Sequence, residues 1–502
     1  MIIIVTHSNP KLDKGYFNGD EIELSTGSTF EHLQELARKF PNEHIGWTVR
    51  KRPESDWDEL VQKATVPYKV LSRGAVPAFL SNSIDYVEDT PFINFVDDQW
   101  YPTWLMSEDM GLIHASVLQQ ELTFKSSGKW IYDLNLFTKS VQSQGLFCYS
   151  QLTASTTQKK YSDVYSFIAQ TKKKSWIFFL LLCHVWYEQR FPFYALMKAI
   201  LKKQLSLTLD FESIHNNLYC DHIKKQYDVV IPTMGRVTYL KDVLLDLSKQ
   251  VIRPQKVIIF EQNGDTNSSS DLDYLKTEEW PFEIVHEFIH QTGACNARNK
   301  AIMRTKAPWV LFFDDDVRVT TDFTTQIIEE LNRTDTKVLT FSCLQKGEQE
   351  NRKVVSQWSA FGSGCSIVHR EVVEKCSFDA ALEHGYGEDT DYGMQIRNAG
   401  YDVIYAPQIQ MLHLKAPVGG FRKPHVFPWE GDVVLPKPSP QIMYHRTKNS
   451  TLQQLRGFKV TLFIKFYRDY SIKNPIAYYK YFKKAWSKSL YWSQKLVEDA
   501  TV

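Results

Sequence analysis

The stretch APWVLFFDDDVRV, residues 307–319, constrains this chain more than any other. Five large apolar residues, Trp309 to Phe313, run directly into Asp314, Asp315 and Asp316. An apolar run without polar alternation reads as a strand buried on both faces, the kind found inside a parallel sheet covered by helices. Adjacent carboxylates repel one another and resist desolvation. The strand therefore ends either in an open, solvated loop or where a cation collects.

The surroundings fit such a sheet. From residue 227, YDVVIPTMGR reads as a strand closing in a Pro/Gly turn. VTYLKDVLLDLSKQ carries Leu240, Val243, Leu244 and Leu247 at helical spacing. QKVIIFEQNGD and FEIVHEF read as further strands, GACNARNKAIMRT as a short helix, KVLTFSCL as a strand, SAFGSGCSIVHREVVEKC as strand then helix, and YDVIYAPQIQMLHLK as a late pair of strands. Alternating strands and helices predict an α/β fold with a Rossmann-like, mostly parallel sheet. Ligands of such sheets sit beyond the carboxyl ends of the strands, where Thr233, Glu261, Asn263 and the Asp triplet fall. Three regions result: an N-terminal α/β module over 1–220, a catalytic domain over 221–430, and a loop with a helical C-terminal extension over 431–502.

The chain has 502 residues, enough for several cores, and 59 basic against 58 acidic residues. A net charge of +1 gives no global field for nucleic acid, so no nucleic-acid partner is expected. Seven scattered cysteines without a C-x-x-C pair argue against a disulfide scaffold and read as small buried hydrophobes. MIIIVTHSNP lacks the basic start and the apolar length of a signal peptide. WIFFLLLCHVWY, residues 176–187, falls well short of the roughly 20 residues needed to span a bilayer, and is expected to be a buried helix. A cytoplasmic protein is the expectation, with a peripheral position at the inner face of the membrane as a variant of that reading.

Three constellations carry chemistry. Asp314 and Asp316, as an Asp-x-Asp pair, point the same way on an extended turn and suit one hard divalent cation, manganese or magnesium; the alternative is a capping or loop cluster. In GYGEDTDYGMQIR, residues 385–397, Glu388, Asp389 and Asp391 stand at a helix start, where acids also serve as caps. Three acids in four positions exceed capping needs, and one of them suits a general base. His413 lies in an apolar stretch, where a core histidine and a metal ligand are both open readings. Arg236, Arg298 and Lys300 suit a diphosphate, or simply a solvated helix face.

Together VVIPTMGR, EQNGD, GACNARNKAI, LFFDDDV and SFDAALEHGYGEDTDYGMQIRNAGYDVIYAP, in that order and spacing, resemble glycosyltransferase family 2 with the GT-A fold, over residues 227 to about 415. The resemblance implies a nucleotide-sugar donor, a UDP- or dTDP-sugar, and a divalent metal held at the DXD motif. It puts the metal on Asp314 and Asp316, and Asp315 toward the nucleotide. Pro232, Thr233, Arg236, Glu261 and Asn263 would line the uracil and ribose pocket, with Arg298 toward the diphosphate. Asp389 would be the catalytic base. Galactofuranosyltransferase-like members complete the metal shell with a histidine downstream of that base, and His413 stands in a comparable place. The implied activity is inverting transfer to a hydroxyl of a glycan or lipid-linked glycan, in surface polysaccharide biosynthesis.

The N-terminal module echoes this layout weakly. TPFINFVDDQWYPTWL is expected to be a strand ending in Asp97 and Asp98, but WIYDLNLF offers Asp133 alone where the Glu-Asp pair should stand. A degenerate GT-A-like domain for acceptor binding or assembly is the expectation. A bifunctional two-domain polymerase and a non-catalytic carbohydrate-binding scaffold are the competing readings. The basic, aromatic tail from 441 reads as helices packed on the catalytic domain or on the partner in a homo-oligomer, with a peripheral membrane contact as the second reading, since no sustained amphipathic period is clear in it.

Overall fold

In a computed structural model, the structure describes all residues except 7–8, 81, 121–125, 155–160, 211–222, 418–424, 470 and 501–502. The expected module boundary near 220 and part of the expected Pro/Gly-rich loop after 415 lie outside the described residues. The chain forms two units: Met1–Tyr219 with Ser450–Thr461, and Cys220–Asn449 with Leu462–Val502.

The second unit is built on the strands β9 (Tyr227–Thr233), β10 (Lys256–Gln262), β11 (Glu283–Ile289), β12 (Trp309–Phe313), β13 (Val317–Arg318), β14 (Val338–Gln345), β15 (Ser356–Gln357), β16 (Cys365–His369) and β17 (Ile404–His413), numbered so as to follow eight strands of the first unit. Their spatial order is β11-β10-β9-β12-β16-β14-β17-β13, with β15 pairing β17. All five residues of β12 are buried, as the apolar run requires. β12 is parallel to β9, and Phe312 on it packs against Phe361, Phe378 and Tyr392. The parallel block stops at β12, because β16 runs antiparallel to both β12 and β14. The late pair of strands expected over 401–415 is a single strand, β17, whose register against β14 shifts between Phe341 and Ser342.

In the first unit β1 (Ile2–Val5), β2 (Lys14–Phe17), β3 (Asp20–Ile22), β4 (His44–Thr48), β5 (Lys69–Ala75), β6 (Trp100–Pro102), β7 (Met110–His114) and β8 (Phe147–Thr153) lie in the order β3-β2-β1-β4-β7-β5-β8-β6. Five of these repeat the second unit. β1-β4-β7-β5-β8 has the same spatial order, the same succession along the chain and the same strand senses as β9-β12-β16-β14-β17. The position after β12 that carries three aspartates is filled after β4 by Val49, Arg50 and Lys51. The helix between β16 and β17, Glu388–Asn398, has as its counterpart Trp130–Val141, so Trp130 and Ile131 stand where Glu388 and Asp389 do, and Asp133 matches Asp391.

Asp97 and Asp98 do not end a strand. FINFV is a 3-10 turn, Pro91–Ile93, succeeded by loop. Asp97 accepts the Ala154 backbone N–H at 2.7 Å, and Asp98 takes a left-handed backbone at φ 55° while its carboxylate accepts from Gln151 at 3.1 Å. These are turn-forming uses, which short acids serve well.

The tail is helical over Pro440–Asn449, Leu452–Asp469 and Pro475–Ala500. The last of these buries Tyr478, Phe482, Ala485, Trp486, Ser489 and Ser493. That spacing is a sustained helical stripe, hidden in the sequence because two of its positions are serines. Among the described residues no helix is long and apolar enough to cross a membrane. The helix Ser175–Cys183, expected to be buried, hides only Ile177, Leu180 and Cys183 and leaves Phe178 and Leu182 exposed.

The first unit's sheet turns on one pairing of large with small. Trp47 on β4, fully buried, stands opposite Gly111 on β7, where an added Cβ would lie 2.0 Å from the indole. Gly111→Ala is expected to destabilise this unit by about 1–3 kcal/mol, the usual effect of overpacking. Urea unfolding monitored by tryptophan fluorescence checks this, and an unchanged midpoint would refute it.

Candidate active site

β9, β10, β12 and β16 bring their ends to one cavity of about 710 Å³ in the second unit, a size suited to a small-molecule ligand. Pro232, Thr233, Arg236, Arg298, Asp314, Asp315, Asp316, Asp389 and His413 all line it, with Glu388 beside them. Glu261 and Asn263 do not lie among the lining residues. Glu261 is committed elsewhere, accepting from the Asp271 backbone at 3.2 Å and paired with His286 at 2.9 Å. Asn263 closes its own turn by accepting the Asp265 N–H at 3.1 Å. Gln262, between them, lines the cavity instead and accepts the Gly293 N–H. Strand alternation explains the switch, because neighbours along β10 point to opposite faces. Lys300 is likewise turned away, bonded to Gln291 at 3.1 Å.

The Asp triplet splits into three environments. Asp314, partly exposed, is paired with the buried Arg298 at 3.2 Å. Asp315 is buried; it accepts from the Thr233 hydroxyl at 2.7 Å and from Arg236 at 2.6 Å. Burial pushes its carboxyl up to about 6, with Arg236 and Thr233 opposing. Asp316 turns to the far side. Its Oδ1 lies 3.4 Å from His413 Nε2, and its Oδ2 accepts the Ala416 N–H at 2.8 Å. Burial acts upward on Asp316, but the hydrogen bonds from His413 and Ala416 and the Arg236 charge outweigh it and hold the carboxyl below its usual value. His413 is correspondingly raised, through its hydrogen bond to Asp316 against the effect of burial. The pairing that sets this geometry is β13 with β17, which puts Val317 directly opposite His413.

Glu388, Asp389 and Asp391 also separate. Asp391 is fully buried and holds Lys448 at 3.0 Å and Asn449 at 2.8 Å, anchoring the helix Pro440–Asn449. Asp389 faces the cavity and accepts the Ser363 N–H at 3.2 Å. Burial raises its carboxyl, while Arg298 and Ser363 pull the other way. Glu388 is pushed up to about 7 by burial and by the neighbouring Asp389. The helix that carries them is tied down by the buried Arg397, which donates to the carbonyls of Gly393 at 2.8 Å and of Trp358.

Several lining residues were not singled out from the sequence. Ser363 and Gly364 belong to a tight turn, and a Cβ on Gly364 would lie 2.1 Å from the Asp314 carboxylate. The two glycines of FGSGCS were the available signal. Cys343 and Cys365 share this wall. His384, at φ 59°, stacks on His425 with ring centroids 4.3 Å apart, and Phe427 comes next at 4.7 Å from His425. Nothing local in the sequence marks that aromatic rim. Gly293, at φ 139°, opens the helix Ala294–Ile302, whose Cys295 and Asn296 N–H groups are taken by Glu383 at 3.1 and 2.9 Å.

No curated protein matches the chain in sequence. Solved structures are similar to it at low identity. The crystal structure of S. aureus TarS 1-349 is 14% identical, with 50% of this chain and 73% of that one covered and a TM-score of 0.35. The same protein in complex with UDP-GlcNAc is 13% identical, with 53% and 79% covered and a TM-score of 0.37. The mannosyltransferase PcManGT from Pyrobaculum calidifontis, in complex with GDP-Man and Mn2+, is 15% identical, with 57% and 78% covered and a TM-score of 0.32. Scores this low carry nothing about donor or acceptor. The family model described as glycosyl transferase family 2 matches residues 228–377, which takes in the Asp triplet and stops short of Asp389 and His413. This chain carries a glycosyl transferase family 2 domain.

Proposed function

We propose that the second unit is an inverting, metal-dependent glycosyltransferase that moves a sugar from a UDP- or dTDP-sugar to a hydroxyl of a glycan or lipid-linked glycan, in the building of a surface polysaccharide. One observation carries this reading: Asp389 and the acids after β12 line the same cavity, with Arg298 interacting with both sets. A base for an acceptor and a site for a leaving diphosphate need that arrangement.

The donor set Asp314, Asp316 and His413 is oxygen-rich with one imidazole, which suits manganese or magnesium. Among the described residues no three acid, histidine or cysteine side chains are already gathered as a metal cluster. Asp316 and His413 face each other, and Asp314, now paired with Arg298, would complete the set. A divalent cation held there supplies charge to balance a departing nucleoside diphosphate. The chain's own residues do the rest. Asp315, fixed by Thr233 and Arg236, presents its outer edge to the nucleotide. Asp389 takes the proton of the attacking hydroxyl on the side of the sugar opposite the diphosphate, which inverts the anomeric carbon. Arg298 draws the Asp389 carboxyl downward against burial, which raises it. The first unit, with its matching strand order but basic residues after β4 and Trp130-Ile131 in place of Glu-Asp, fits a degenerate copy serving acceptor binding or assembly.

The decisive experiment screens nucleotide sugars for nucleotide release with manganese, with magnesium and with chelator. Release by no donor under any condition sinks the proposal. Asp389→Asn is expected to lower turnover by about two to four orders of magnitude while donor binding survives. Near-normal turnover would remove Asp389 as the base.

A pH series tests the Arg298 role. A base works ionised, so activity falls as pH drops through its raised pKa. Removing the cation that lowers that pKa raises it further, and Arg298→Met is expected to move the acid limb of kcat/KM to higher pH. A limb that stays or moves down contradicts this.

His413→Ala is expected to raise the manganese concentration needed for half-maximal activity by about tenfold or more. An unchanged metal titration would return His413 to a structural role as the partner of Asp316.

A further inference from the structure

Two helices of the first unit, Ser175–Cys183 and Phe193–Ile200, are apolar on two opposite sides. Their inner sides, with Ile177, Leu180, Ala195, Leu196 and Ala199, join the core around Tyr165 and Phe167. That is the side an ordinary surface helix buries, and its other side should be polar. Here the outer side is apolar too. Phe178, Leu182 and Val185 recur at helical spacing on the first helix and its continuation, with exposures of 51%, 39% and 44%. Phe193, Tyr194, Met197 and Leu201 do the same on the second, from 46% to 84% exposed. At the tip between the helices, Trp186 and Phe191 are 58% and 63% exposed, and Phe191 stacks on Phe193. A contiguous exposed face of this kind marks an interaction site.

The charge around it has one sign. From Lys172 to Lys203 the chain holds seven basic residues and a single acid, Glu188. The Lys174 ammonium donates to the Ile200 carbonyl at 2.8 Å, so the start of one helix meets the end of the other. Lys173, Lys174, Lys202 and Lys203 therefore gather at one end of the hairpin, with Lys172 turned to Glu88 at 3.3 Å, and the aromatic tip forms the other.

We propose that this hairpin is a membrane-surface anchor, laying its outer face into the interface of a bilayer that contains anionic lipid. Both helices, nine and eight residues long, are far short of the roughly 20 that span a bilayer, so they lie in the interface and do not cross it. Aromatic rings at headgroup level and lysines on anionic phosphates match this arrangement. A second copy meeting it through a two-fold contact would bring only this same face, whose one acid, Glu188, offers the lysines little counter-charge.

The test is co-sedimentation of the full chain with phosphatidylcholine vesicles, with and without phosphatidylglycerol. Phosphatidylglycerol vesicles are expected to pull the chain down. The exposed-site variant Phe178→Ser/Phe191→Ser/Tyr194→Ser should lose about tenfold or more in partition. Lys198→Glu/Lys202→Glu/Lys203→Glu should lose the preference for phosphatidylglycerol. Circular dichroism and thermal melting of each variant confirm that it folds. The proposal is overturned if no vesicle binds the chain, or if the folded triple-serine variant binds as well as wild type. It is also overturned if light scattering shows self-association that the serine variant abolishes in a chain that binds no vesicle, which would make the patch a contact between copies.

Discussion

Two guanidinium groups hold the cavity of the second unit together. Five carboxylates, Asp314, Asp315, Asp316, Glu388 and Asp389, line one wall-to-wall space. Packed so closely and half desolvated, they would neutralise by taking up protons. Arg236, bonded to Asp315 and within 3.3 Å of Asp316, and Arg298, bonded to Asp314 and close in charge to Asp389, oppose that. Burial still holds Asp315 and Asp389 above their ordinary values, and burial with the neighbouring Asp389 pushes Glu388 up to about 7. The same two arginines leave the cavity rich in both signs of charge.

The two units share a strand order while differing in the residues set around it. The order β1-β4-β7-β5-β8 and its counterpart in the second unit are set by backbone pairing and by apolar strands such as HIGWT and WVLFF. Neither order depends on the residues just past the central strand. That leaves the loop free to hold Arg50 and Lys51 in one unit and three aspartates in the other. Asp133 shows the likeness and the difference together. Like Asp391 it is buried at the fourth position of its helix and bonded to neighbours, Ser126 and Ser127, whereas the first two positions of that helix are Trp130 and Ile131.

Much of the cavity's wall is legible in the sequence because its signals are local. An unbroken apolar run meeting three acids announces a buried strand with a charged end, and a glycine just before Glu-Asp announces a charged helix start. Glu261 and Asn263 stand outside the cavity's lining while Gln262 stands in it, because alternate residues at a strand's end face opposite ways. The helices around 175–200 were misread because apolar composition alone cannot say which sides a neighbour covers.

Side-chain periodicity and short-range repulsion are enough to specify the central strand, its acidic end and the succession of strands and helices. Which acids share the cavity depends instead on packing between distant segments. Asp389 and Asp391, two positions apart on one helix, diverge because helical phase turns one toward Arg298 and Ser363 and the other toward Lys448 and Asn449. His413 reaches Asp316 from almost a hundred residues away because β13 and β17 pair antiparallel with Val317 opposite His413, a register fixed by backbone hydrogen bonds between segments that are strangers in the sequence.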